Sequence, residues 1–314
     1  MTTSSPASPS RGFIAGVGAY LLWGFLPLYF PLLEPATPLD ISAHRVVWSW
    51  VVCLALLWIS SRFREYVALM RQPRQVLRLG LAALLLSANW LIFLIGVLAG
   101  RVVEASLGYF INPILTVVLA VVVLGEKINR TQVLGVGVAA VGMVVFAWET
   151  GTIPWISLGL ALSFGLYGLM KKQLAPNVPA LAGFAAETTA LLPIAVAYLA
   201  GLILFGDSTL GVAVGPLGTR TDHMALIAFS GVATAVPLLL FAAATRRIPL
   251  VTIGMIQFMT PIMQFLTGVF IYGEAMSTGR WVGFVCVWVA LVILSVDGIR
   301  KARRRPRPNK TPLS

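Results

Sequence analysis

Apolar runs of about twenty residues follow one another along this chain, separated by short stretches where charged residues, glycine and proline collect. A hydrocarbon core of about 30 Å is crossed by roughly 20 helical residues, and unpaired backbone polar groups are too costly there for anything but helices or closed barrels. The pattern therefore predicts an all-α membrane protein. Its ten transmembrane helices fall at 12–33, 40–60, 77–99, 104–124, 131–148, 153–170, 179–205, 224–244, 250–272 and 278–296.

The runs form two similar sets of five. Pro113, Gly125, Glu126 and Gly135 recur as Pro261, Gly273, Glu274 and Gly283 at one constant offset. Trp23-Gly24 answers Tyr167-Gly168 at a slightly shorter offset, so some connections differ in length. An odd number of crossings per set turns the second set upside down. The predicted architecture is two inverted five-helix repeats, which in secondary transporters enclose a site near the bilayer midplane. The segments are a polar amino terminus at 1–11, a first repeat at 12–148, a second at 149–297 and a basic tail at 298–314.

Composition agrees. Hydrophobic residues make up 58% of the 314, charged residues 11%, and mean hydropathy is +0.90, far outside the range of a soluble domain. The formal charge of +12 is sorted by side. Alternate connections hold Arg11, the run Arg62, Arg64, Arg71, Arg74 and Arg78, then Lys127, Arg130, Lys171, Lys172, Arg246, Arg247 and the basic tail. The other side carries only Arg101, Arg220 and Arg280, with Glu34, Asp40, Glu149 and Asp207. Since Lys and Arg in short loops resist translocation, both termini are expected in the cytoplasm, and no nucleic-acid partner is needed to explain the charge. The first eleven residues lack a basic start and a cleavage site, so the first span is expected to stay attached. The tail after Asp297 is expected to be disordered, serving either as a topology determinant or as a contact with anionic lipid headgroups.

Few polar groups lie within the spans, and each needs a reason, because a charge there costs about 2.5–3.5 kcal/mol on insertion scales. His44 and Arg45 lie near the outer end of the second span, and Glu104 opens the fourth on the same side. Arg45 and Glu104 are expected either to pair or to reach separately to the interface. Glu187 stands with no basic residue in its own span, which suits a proton carrier, a partner for a cationic solute, or a carboxyl kept protonated against a neighbouring helix. In the repeat register it falls opposite His44. Asn89, Trp90, Tyr109, Asn112, Gln257 and Gln264 add hydrogen-bonding groups at depth, with Tyr109 and Gln257 expected to face one cavity from the two repeats. For Trp90, core packing and stacking on a solute are equally open.

Prolines within spans kink helices, and the repeated pair Pro113 and Pro261 is read as two equivalent hinges. Glu126 and Glu274 follow glycines at span ends, where a carboxylate opposes the helix dipole, so compensation by a nearby base or capping of the following helix is expected. Glycine and alanine, as in Gly135, Gly137, Ala139 and Gly142, permit close helix approach, either inside a monomer or at a homodimer seam. Cys53 and Cys286 read as packing residues without a redox role. No phosphate loop, GxSxG elbow or HExxH motif is present, so an enzyme, a cofactor and a metal site are not expected.

The run Glu104-Ala105-Ser106-Leu107-Gly108-Tyr109-Phe110-Ile111-Asn112-Pro113, with His44-Arg45 before it, Asn89-Trp90 between and the paired Gly-Glu after spans four and nine, resembles the EamA family of the drug/metabolite transporter superfamily. The likeness extends from Gly12 to Asp297. It implies a ten-helix permease of the bacterial plasma (inner) membrane, with a cavity lined by spans one to four and six to nine. It also implies movement of a small metabolite or drug, which relatives export, a link to chloramphenicol sensitivity or resistance, and proton or ion coupling. The leading expectation is thus a secondary transporter working by alternating access. A passive channel or facilitator for small polar solutes is the competing one, although no charged or carbonyl ring for ion selectivity is evident.

Overall fold

The computed structural model describes residues 9–125, 127–174, 178–205, 220–245, 247–248 and 250–304, and among these every regular element is helical. The order is α1 (Pro9–Tyr29), a 3₁₀ turn (Phe30–Leu33), α2 (Pro38–Ile59), α3 (Phe63–Met70), α4 (Pro73–Leu98), α5 (Val102–Leu124), α6 (Arg130–Thr150), α7 (Trp155–Leu174), α8 (Ala180–Phe205), α9 (Arg220–Thr245), α10 (Leu250–Ile256), α11 (Met259–Leu266), a π turn (Thr267–Ile271) and α12 (Thr278–Arg304). Among the described residues, eight helices are long and apolar enough to cross a bilayer, and two shorter apolar segments accompany them, Trp155–Lys171 and Met259–Ile271.

Local chemistry sets several boundaries. Thr37 and Asp40 form a reciprocal capping box at the start of α2, and Asn129 and Gln132 do the same for α6. Gly125 and Gly273, at equivalent repeat positions, both adopt φ +65°, a conformation that costs a residue with a Cβ but suits glycine after a helix.

Three expectations change. The charged loop after the second span folds into the short helix α3, whose Leu69 joins a buried cluster with Leu57 and Leu79. The ninth span is not one helix: it breaks at Gln257–Phe258 and widens into the π turn. The break sits just before Pro261, which cannot donate to the carbonyl of Gln257. Its repeat counterpart Pro113 lies in α5, which runs unbroken. Finally, the tail expected to be disordered after Asp297 stays helical to Arg304; residues 1–8 and 305–314, and Glu126, lie outside the described residues.

The chain forms two compact units, each drawing on both halves of the sequence. The larger comprises Met1–Tyr109 and Trp155–Ala275. One of its buried clusters joins the end of α1 and its 3₁₀ turn to the starts of α2, α5, α7 and α9 and the end of α4, through Leu33, Ile41, Val97, Val102, Ile156 and Ile227. Another gathers the ends of α2 and α7 with the starts of α4 and α8, through Leu57, Leu79, Leu174 and Ala182. α1, α2, α4 and α5 therefore run in alternate directions, as do α7, α8 and α9, while α5 and α7 both start at the first end. Arg62, Arg71, Arg74, Arg78 and Lys171 fall at the second end, while Asp40, Glu104 and Asp222 fall at the first.

Prolines at the end of α1 and in its 3₁₀ turn tie this stretch to the broken segment. Pro27 offers no N–H to the Trp23 carbonyl, and Pro31 offers none to that of Pro27. Gln264 Nε2 donates to Trp23 O (3.4 Å), Tyr272 Oη to Pro27 O (2.7 Å), and Thr260 Oγ1 to Tyr20 O (2.7 Å).

The smaller unit, Phe110–Pro154 and Met276–Ser314, is centred on α6 crossing α12. A Cβ on Gly142 would lie 2.7 Å from Cys286 Cβ and 2.8 Å from Gly283 O, so the backbones meet there without side chains between. These glycines thus serve contact within the chain. Phe110, Phe146, Phe284 and Trp288 pack edge to face around the crossing. Cys286 packs here and Cys53 in the larger unit, both as free thiols.

Candidate functional site

Within the larger unit the buried polar side chains converge on two neighbouring systems. Arg45, one-third of the way along α2, is 3% exposed. Its Nε donates to Thr234 Oγ1 of α9 (3.0 Å), and its guanidinium lies over the rings of Trp90 (4.4 Å) and Phe30 (5.1 Å). Nη1 is buried with no hydrogen-bond partner. One residue before Trp90, Asn89 donates from Nδ2 to Leu160 O (3.0 Å) and Ser163 Oγ (3.1 Å) of α7, and its Oδ1 accepts from Tyr109 Oη of α5 (3.2 Å). Five helices are thereby fixed around a polar interior.

The expected Arg45–Glu104 pair is absent. Glu104 is buried, but its Oε1 accepts from the backbone N–H of Ile156 (3.1 Å) and its Oε2 pairs with Arg101. A carboxylate placed on the first turn of α7 satisfies an orphan N–H and meets the positive end of the helix dipole, so it is held there instead. Glu274 acts similarly at the start of α5, accepting from Val102 N (2.5 Å) and Val103 N (3.1 Å). It caps a helix far away in sequence, where compensation by a nearby base or capping of the following helix was expected.

Glu187 is also not isolated. Lys171, at the end of α7, reaches it with Nζ 2.6 Å from Oε1, while Tyr167 lies beside the pair with its ring 5.7 Å from the ammonium. Glu187 is 1% exposed and its Oε2 accepts no hydrogen bond, whereas the Lys171 side chain is 33% exposed. His44 lies next to Arg45 at the opposite end of the unit, within electrostatic reach of Asp40 and of His223 on α9. His223 is fully buried, its Nε2 3.0 Å from Leu33 O and its Nδ1 unpartnered.

Among the remaining expected residues, Gln264 is buried against α1 with Oε1 unpartnered, and Gln257 is half-buried at the helix break. Asn112 and Pro113 belong to the smaller unit, where Asn112 Oδ1 is buried without a partner. Sequence reading overlooked Thr234, His223, Ser163 and the role of Lys171. Thr234 and Ser163 carry no signal, being small hydroxyls that also sit unremarked in helices. His223 offered one, as one of only two histidines in the chain. Lys171 was counted with the loop charges because it falls at a span end. Among the described residues no group of three or more metal-ligating side chains comes together.

Comparison with known proteins supplies the context for this interior. Residues 10–148 match the model of the EamA-like transporter family. Protein RarD of Streptomyces exfoliatus is 45% identical over 93% of this chain and 90% of its own length. The chloramphenicol-sensitive protein RarD of Pseudomonas aeruginosa is 30% identical over 95% of this chain and 97% of its own. A crystal structure of a protein 20% identical superposes with a TM-score of 0.58 over 91% of this chain and 97% of that one, so the two share a fold.

Proposed function

This chain belongs to the EamA-like transporter family, and from that premise we propose that it is a secondary carrier of the bacterial plasma membrane that moves a small metabolite or drug by alternating access. Ten crossings make up the carrier: α1 with its 3₁₀ turn, α2, α4 to α9, the broken segment from Leu250 to Ile271, and α12. They divide into two inverted repeats of five. The first helix of one set, α1, ends where the first helix of the other, α7, begins, and this reversal, with the matching conformations of Gly125 and Gly273, supports this reading. The end rich in Arg and Lys faces the cytoplasm, as do both termini.

One observation carries the proposal. Side chains from α2, α4, α5, α7 and α9 build a buried polar interior around Arg45 and Asn89, in a molecule whose outer helix faces are apolar. Such an interior is costly in lipid unless a solute uses it. Lys171–Glu187 at one end and His44 with His223 at the other are the groups through which protons couple to solute movement. Pro113 and Pro261 serve as hinges, Pro261 beside a helix already broken. Gln257 and Gln264 extend the solute pathway within the larger unit. Chloramphenicol, named in one relative, is the first solute to test.

The test needs no knowledge of the natural solute. With Cys53 and Cys286 replaced by alanine, Thr234→Cys is labelled in vesicles with a membrane-impermeant maleimide. A carrier gives labelling from each side in turn, shifted between sides by a pH gradient; labelling from one side only under every condition refutes alternating access. Labelled chloramphenicol in counterflow adds the second arm, since a passive channel shows no counterflow. In Glu187→Gln, transport that still follows an imposed pH gradient removes the coupling role from that carboxyl.

A further inference from the structure

We infer that Arg45 is the anion-recognising residue of the solute site, and that the solute is a small organic monoanion: one carboxylate on an apolar, ring-bearing body. The inference deepens the carrier reading and rests on it. A guanidinium does not give up its proton, so burial leaves Arg45 with a full positive charge to compensate. Among the described residues it has no acidic partner, and its only hydrogen bond is the one from Nε to the neutral Thr234. The carboxylate nearest to it in expectation, Glu104, is committed through both oxygens to Ile156 N and Arg101. The rings of Trp90 and Phe30 offset part of the charge but leave Nη1 buried without an acceptor.

The other cation that turns inward shows the contrast. Lys171 has its carboxylate in Glu187; Arg45 has none from the described chain. Between the two cations runs a ladder of rings, in edge contact from Phe30 to Phe93 (6.1 Å), Phe93 to Tyr109 (5.7 Å) and Tyr109 to Phe164 (6.4 Å) and tilted from Phe164 to Tyr167 (6.1 Å). With Nε already engaged, the Nη edge of the fork remains for a carboxylate, whose planar pair of oxygens matches it. A single negative charge neutralises the single positive one. A dianionic phosphate would leave a charge unpaired among aromatic side chains, and an amine would meet repulsion. The ring ladder suits an apolar body behind the carboxylate.

The purified full-length protein is tested by ligand-induced thermal stabilisation with acid and amide pairs: acetate and acetamide, benzoate and benzamide, indole-3-acetate and indole-3-acetamide, with inorganic phosphate alongside. At least one ring-bearing acid is expected to bind roughly 10- to 100-fold more tightly than its amide, the gain of a charge-assisted hydrogen bond. Phosphate is expected not to bind. Arg45→Gln should erase the preference, and Arg45→Lys should keep the sign with a smaller ratio. The comparison within the wild-type protein needs no variant, so misfolding of Arg45→Gln does not spoil it. Equal binding of every acid and its amide, preference for phosphate, or an acid preference that survives in folded Arg45→Gln overturns the inference. The stabilising acid is then tried in counterflow: Arg45-dependent binding without counterflow sinks the carrier reading and leaves the anion site standing.

Discussion

Removing the ammonium of Lys171 strands the carboxylate of Glu187, which is 1% exposed and makes its hydrogen bond to that ammonium through Oε1. Breaking a buried pair from one side generally costs about 3–5 kcal/mol, most of it the penalty of an uncompensated charge. Lys171 is one-third exposed, so solvent already screens part of the attraction, and the expected loss for Lys171→Met is about 2–3 kcal/mol. Glu187→Gln should cost less, about 1 kcal/mol, because the freed lysine can turn its ammonium toward the water it already touches while glutamine keeps an acceptor in place. The double variant Lys171→Met with Glu187→Leu should recover to within about 1 kcal/mol of wild type, since it puts a leucine next to Ala186, a member of a buried apolar cluster. Reversible unfolding of the purified protein in mixed micelles gives the cycle. Two single losses of equal size that simply add in the double variant would refute the reasoning, for then the two side chains do not act as a pair.

Three further outcomes follow from the packing. Gly142→Ala, whose Cβ would meet Cys286 Cβ at 2.7 Å and Gly283 O at 2.8 Å, should destabilise by about 1–3 kcal/mol, while Gly137→Ala, with nothing within 4 Å, should be neutral or stabilising by up to about 1 kcal/mol; the same unfolding measurement reads both. Glu274→Ala should cost about 1–2 kcal/mol and raise amide hydrogen exchange at Val102 and Val103 selectively, because it frees both N–H groups at the start of α5. Gln264→Leu should cost about 1 kcal/mol in wild type and less in a Pro27→Ala background, where the helix regains its own donor to the Trp23 carbonyl; an unchanged cost would detach Gln264 from that role.

Where the chain forms long apolar helices was legible because hydrophobic runs of the length a bilayer requires stand out in the sequence, and because several runs end on residues with their own local chemistry. Thr37-Pro38 and Asn129 mark helix starts through their capping boxes, and Gly125 and Gly273 mark ends through a conformation that disfavours a Cβ. The fracture of the ninth span was less legible. Pro113 and Pro261 look alike in sequence, yet one helix continues through its proline and the other breaks before it. A proline removes the same hydrogen bond in both; whether the helix continues depends on what neighbouring groups supply, and that is tertiary information.

The site divides along the same line. That Arg45, Asn89, Trp90, Tyr109, Glu104 and Glu187 each needed a partner was readable one residue at a time, since the cost of burying each belongs to the residue itself. Which partner each obtains is decided by which helix end lies nearby. Glu104 is taken by the first turn of α7 and Glu274 by the first turn of α5, because both turns present bare N–H groups at the dipole's positive end. Lys171, counted with the loop charges, turns inward to Glu187 because the end of α7 lies beside the start of α8. Once those carboxylates are committed elsewhere, Arg45 is left as the buried cation without one from the described chain. The expectation of an Arg45–Glu104 pair thus fails for the same reason that makes Arg45 informative: the acidic groups that were available are spent on holding helix ends, and the charge that remains must be met by something that enters.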